Sequence, residues 1–105
     1  MRQYQQGDVL FAEVDGVPAA ARAVAARGTS YVLVEGETTG HAHTVEAAPE
    51  VELFEADGVL YLRTKTGATV EHQEHHPITL APGAYEVGRV QEYDYDAEER
   101  RAVMD

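Results

Sequence analysis

Two short segments hold all five histidines of this chain. The first runs Gly36-Glu37-Thr38-Thr39-Gly40-His41-Ala42-His43-Thr44-Val45-Glu46, and the second His72-Gln73-Glu74-His75-His76-Pro77. Side chains on an extended strand alternate with period two, so His41 and His43 share one face. His72 closes another predicted strand. Strict alternation pairs it with His76, whereas a bulge or turn before Pro77 brings in His75 instead. Pro77 disfavours helical geometry at His76 and permits such a bend. Neutral imidazole is a ligand for Zn, Fe, Ni, Cu and Mn. A closed tetrahedral set suits structural zinc, while three ligands and a water suit catalysis. Glu46, Glu71 and Glu74 lie near enough in sequence to bind the ion or to orient an imidazole that does. The expected metal set is therefore His41, His43, His72, His75, His76 and Glu46, with zinc the first choice. The bland alternative is a group of surface histidines that only titrate near neutral pH.

These residues need strands to position them. Asp8–Val14 reads as one, bounded by Gly7 and Asp15-Gly16. Ser30–Glu35 is rich in β-branched and aromatic residues. Gly36–Gly40 forms a turn, after which His41–Glu46 resumes extended structure. Val51–Ala56 and Val59–Thr64 flank Asp57-Gly58, a type I′ hairpin signal. Thr66-Gly67 turns the chain into Thr69–His72. Ile78–Leu80, the turn at Pro82-Gly83 and Ala84–Val90 follow. Residues 18–27, Ala-rich and opened by Pro18, read either as a short helix or as a loop over one end of a barrel. Asp96 is placed to cap a short C-terminal helix over residues 97–101. The expected fold class is all-β: one domain over residues 1–105, a small antiparallel β-barrel or sandwich.

Composition narrows the function. Eight Lys and Arg stand against 19 Asp and Glu, a net charge of −11 with neutral histidines. That argues against nucleic acid and anionic membranes as partners, because both reward basic patches. There is no cysteine, so any metal must be held by imidazole, carboxylate or water. The opening residues carry no apolar signal region and no apolar run approaches membrane-spanning length, which suggests a cytoplasmic protein. No phosphate-binding glycine motif supports a nucleotide cofactor. Tyr85, Tyr93 and Tyr95 read as half-buried sheet residues rather than a pocket lining. Glu92, Asp94, Asp96, Glu98 and Glu99 read as a solvated acidic tail.

Gly36, His41, His43 and Glu46 resemble the first motif of the cupin superfamily, in which a glycine precedes two histidines and a glutamate that bind one metal. Pro82-Gly83 after Ile78-Thr79-Leu80 is similar to the turn of the second cupin motif. Tyr85 and Glu86 stand where that motif carries a further histidine, and Glu46 comes one residue early. The resemblance implies Fe, Ni or Mn as alternatives to zinc, and an enzyme acting on a small molecule. A second resemblance spans nearly the whole chain, through Glu35–His43, His72–Ile78, Pro82–Tyr85 and Gln91–Asp94. It is to a family of small uncharacterised bacterial proteins, and it implies that both histidine clusters form one site.

Two functions follow. The favoured one is a bacterial β module that binds a divalent metal and acts by self-association or by binding a protein partner. At 105 residues the chain has little room for both a substrate pocket and its walls, and self-association would cover exposed sheet edges. The alternative is the cupin-like enzyme, with coordination positions open to substrate.

Overall fold

The computed structural model describes residues 1–35 and 41–90. The turn at 36–40, with Gly36 of the cupin-like motif, lies outside them, as do the C-terminal helix, the acidic tail and Tyr93 and Tyr95.

Ten strands follow in order: β1 (Gln3–Gln6), β2 (Val9–Val14), β3 (Arg22–Ala23), β4 (Ser30–Glu35), β5 (Ala42–Glu46), β6 (Val51–Ala56), β7 (Val59–Thr64), β8 (Ala68–Glu71), β9 (Ile78–Leu80) and β10 (Gly83–Arg89). Among the described residues there is no helix, so none is long and apolar enough to cross a membrane. The strands form two antiparallel sheets, one of six strands ordered β1-β2-β10-β7-β6-β3 and one of four ordered β4-β5-β8-β9. The fold is all-β, and neither sheet closes on itself among the described residues.

Alternation in the strands builds the core. Val9 and Phe11 of β2, Leu53 of β6, Leu62 of β7 and Tyr85 and Val87 of β10 meet Leu33, Val45, Val70 and Leu80 from the smaller sheet. Asp57 (φ 50°) and Gly58 (φ 81°) both take positive φ between β6 and β7, as a two-residue type I′ turn requires.

Residues 18–27 do not form a helix. A turn closes from the Ala21 N–H to the Pro18 carbonyl, and β3 then pairs Arg22 with Glu55 and Ala23 with Phe54. Val24 donates to the Leu53 carbonyl and packs its side chain on the core. The alanines favour helix, but an isolated helix below about 12–15 residues is marginal in water. The open edge of β6 supplies backbone partners and a surface for Val24, and tertiary pairing overrides local propensity.

Strand β1 does not stand out in the sequence because Gln3, Gln5 and Gln6 hide its alternation. Tyr4 and Gln6 nevertheless turn inward, and a two-residue turn at Gly7-Asp8 joins β1 to β2. One inward side chain reaches the residue that follows β9, and the other reaches β8. Tyr4 Oη accepts from the Ala81 N–H at 3.2 Å, and Gln6 Nε2 donates to the Val70 carbonyl at 3.0 Å.

Candidate metal centre

Register explains why the two histidine segments meet. Strands β5 and β8 pair Thr44 with Glu71 and Val45 with Val70. Continuing that antiparallel register sets His43 opposite His72, Ala42 opposite Gln73 and His41 opposite Glu74. Each pair is in contact. The His43 and His72 rings lie 4.4 Å apart between centroids. The Gln73 side chain accepts the Ala42 N–H at 2.8 Å, continuing the ladder where backbone pairing has stopped. His41 Nε2 lies 3.7 Å from Glu74 Oε2, an ion pair only when the imidazole is protonated.

Past His72 the chain bends rather than continuing as a strand, and the bend decides between His75 and His76. The His75 ring comes within 4.6 Å of His72 and stacks at 6.1 Å and 13° on His43. It rests on the β1–β2 turn: a Cβ built on Gly7 would lie 2.6 Å from His75 Nε2. Only a glycine leaves that space, and at φ 61° only a glycine adopts the turn without strain. His75 and His76 are both exposed, but His76 contributes its backbone carbonyl, which accepts from Gln6 Nε2 at 2.9 Å.

Glu46 is not brought to the imidazoles. It lies three residues from His43 on β5, an odd spacing that turns it to the outward face. There it lines, with Glu50 and Glu71, a separate groove of about 420 Å³. Three rings therefore converge, those of His43, His72 and His75. His41 joins through His72, at 5.8 Å. Among the described residues, no three His, Asp or Glu side chains stand arranged to hold one metal ion together.

Gln6 completes the site, and no histidine motif points to it. Its side chain is 2% exposed and fully satisfied. Nε2 donates to the carbonyls of Val70 and His76, and Oε1 lies 2.8 Å from His43 Nδ1. A core-facing glutamine next to a Gly-Asp turn is a detectable signal once β1 is recognised as a strand. An amide atom facing two carbonyl oxygens must be the NH2, so Oε1 faces His43 and can only accept. His43 Nδ1 therefore carries a proton.

The state of that ring follows from its surroundings. His43 is 4% exposed, and burial is the largest cause that lowers its pKa, to about 4. His72, His75 and Arg89 push the same way, against the opposing pull of Asp8. At pH 7 the ring is neutral, with a proton on Nδ1 and a free lone pair on Nε2. His72 has the opposite arrangement. Its Nδ1 accepts the Glu74 N–H at 3.0 Å, so in this state its proton sits on Nε2.

Tyr85 is fully buried rather than half-buried. Its hydroxyl donates to the Ala81 carbonyl at 2.6 Å, and burial, with the Tyr4 hydroxyl beside it, pushes its pKa up to about 12.

No curated protein and no solved structure matches the chain. A family model does, across residues 5–90, a span that includes every strand from Gln5 onward and all five histidines. The chain belongs to the family described as a domain of unknown function, DUF8820.

Proposed function

We propose that this protein is a metal-binding β domain whose His41, His43, His72 and His75 take up one divalent transition metal, zinc first, in a binding rather than a catalytic role. One observation carries the reading: the imidazoles of His43, His72 and His75 lie at pairwise centroid separations of 4.4 to 6.1 Å, and His41 lies 5.8 Å from His72. Two imidazoles bound tetrahedrally to one zinc through Zn–N bonds of about 2.0–2.1 Å would have centroids roughly 5 Å apart. The spacing of His43, His72 and His75 is thus close to that of a shared ion, and binding would require these rings and His41 to turn toward it. Gln6 on His43 Nδ1 resembles the outer partner that metal-bound imidazoles commonly have. The outward placement of Glu46 weighs against a cupin-like enzyme, which needs that carboxylate beside the histidines. The open strand orders favour two layers of a sandwich over a barrel, and their free edges offer a route to self-association. We place the protein in the bacterial cytoplasm, with copies of itself or another protein as partners.

Zinc titration of the untagged chain by calorimetry tests the reading, with amide spectra recorded alongside. One zinc per chain is expected, with binding weakened at least 100-fold in His43→Ala and His72→Ala. The Glu74 amide signal should shift on binding. His72 can ligate through Nδ1 only by displacing the Glu74 N–H, and through Nε2 only by moving its own proton to Nδ1. Either way that hydrogen bond breaks. Failure of the wild-type chain to bind zinc, or wild-type affinity in both variants, sinks the reading.

A further inference from the structure

Within the cluster, His43 and His72 are held in opposite tautomers by different partners, and the partner of His43 comes from another sheet. Gln6 belongs to the edge strand of the six-stranded sheet, whereas His43 and Val70 belong to the four-stranded one. All three polar contacts of the Gln6 side chain run across that boundary: to His43, to the Val70 carbonyl and to the His76 carbonyl in the histidine loop. A glutamate here would still accept from His43 but would turn an oxygen on two carbonyls. A leucine would accept from nothing. Only an amide of this length meets one donor and two acceptors at once.

We propose that Gln6 is a positioning residue that fixes His43 as its Nδ1–H tautomer and thereby makes Nε2 the atom His43 offers to a ligand. The ligand's identity as a metal rests on the reading above. His43 is then the preformed member of the site, and His72 is the member that must rearrange. The site is also complete only while the β1–β2 hairpin is docked. Gln6 orients His43 and the next residue, Gly7, leaves the space that His75 occupies, so one hairpin sets two of the four rings. Release of that hairpin frees both imidazoles together.

The test is a long-range ¹H–¹⁵N correlation spectrum of the intact, metal-free chain at pH 8. Wild-type His43 should show the Nδ1–H pattern and His72 the Nε2–H pattern. Gln6→Leu should lose the His43 pattern and bind zinc roughly 10- to 100-fold more weakly, the usual cost of removing an outer partner of a metal-bound imidazole. Gln6→Glu should keep the His43 pattern, since a carboxylate also accepts from Nδ1–H. An Nε2–H pattern for wild-type His43 overturns the proposal, whatever the variants do. So does an unchanged His43 pattern in a folded Gln6→Leu chain. A wild-type chain that shows the expected tautomers but binds no zinc sinks the metal reading alone, so the two failures are told apart.

Discussion

Strand β1 sends two side chains inward, Tyr4 and Gln6, and each ties the six-stranded sheet to the segment containing the smaller one. At Tyr4 the tie is closed. Ala81 gives its N–H to Tyr4 Oη and receives the Tyr85 hydroxyl at its carbonyl, while the two rings pack edge-on at 5.8 Å and 72°. At Gln6 the amide is equally satisfied, but the imidazole it holds keeps a bare Nε2 beside the rings of His72 and His75. Both corners lower the cost of buried polar groups by pairing them. Among the described residues, the second presents an imidazole nitrogen, His43 Nε2, with no hydrogen bond, and the proposed ligand would take that place.

The two corners should respond differently to perturbation. Tyr85→Ala should cost most, about 3–5 kcal/mol by analogy with other buried aromatics, because it empties the closed corner. Urea unfolding reads that loss, and zinc affinity of the folded fraction should stay at the wild-type value. A parallel loss of zinc binding would show that the corners are not independent.

Acid acts on the other corner. His43 has a folded pKa of about 4 against 6.5 in a model peptide, so between those values the unfolded chain binds more protons than the folded one. The stability associated with a neutral His43 is fully present above pH 6.5 and is lost as pH falls toward 4. The shift corresponds to about 3 kcal/mol. Urea unfolding of the metal-free chain at pH 7 and at pH 4.5 should recover most of it, and His43→Phe should flatten this part of the profile. An equally steep profile in that variant would refute the assignment.

Gly7→Ala and Gly28→Ala form a finer pair. Both glycines sit near φ 60°, so both substitutions carry a backbone cost of about 1–2 kcal/mol. A Cβ at Gly28 meets nothing within 4 Å, whereas one at Gly7 meets the His75 ring. Only Gly7→Ala should weaken zinc binding, by about tenfold if His75 is a ligand. Equal zinc affinity in the two variants would remove His75 from the site. Glu46→Gln should have the smallest effect, with zinc affinity and unfolding midpoint both unchanged. A marked drop in zinc affinity would restore the cupin-like alternative.

Much of the strand pattern is legible in the residues. Ser30–Glu35, Val51–Ala56 and Val59–Thr64 coincide with β4, β6 and β7, and Asp57-Gly58 makes the turn its residue types demand. β-Branched and aromatic residues bounded by turn formers are a local signal, and here the tertiary structure agrees with it. The same alternation puts His41 and His43 on one face, and turns Glu46 to the other.

What alternation cannot reach is decided by contacts between distant segments. Residues 18–27 carry helix-forming alanines, yet the edge of β6 draws them into β3. His75 and His76 are equivalent by composition. The bend after His72 and the space left by Gly7 seat His75, while His76 engages Gln6 through its carbonyl. Gln6 is one of three glutamines in β1, and its role exists only where β1 meets β5, β8 and the histidine loop. Residue types and spacing therefore determined the strands, the shared face of His41 and His43 and the capacity for imidazole chemistry, because these depend on local backbone geometry. Tertiary structure alone decided which histidines converge, which nitrogen of His43 stays bare and which residue holds it so, because each depends on hydrogen bonds and excluded space between residues tens of positions apart.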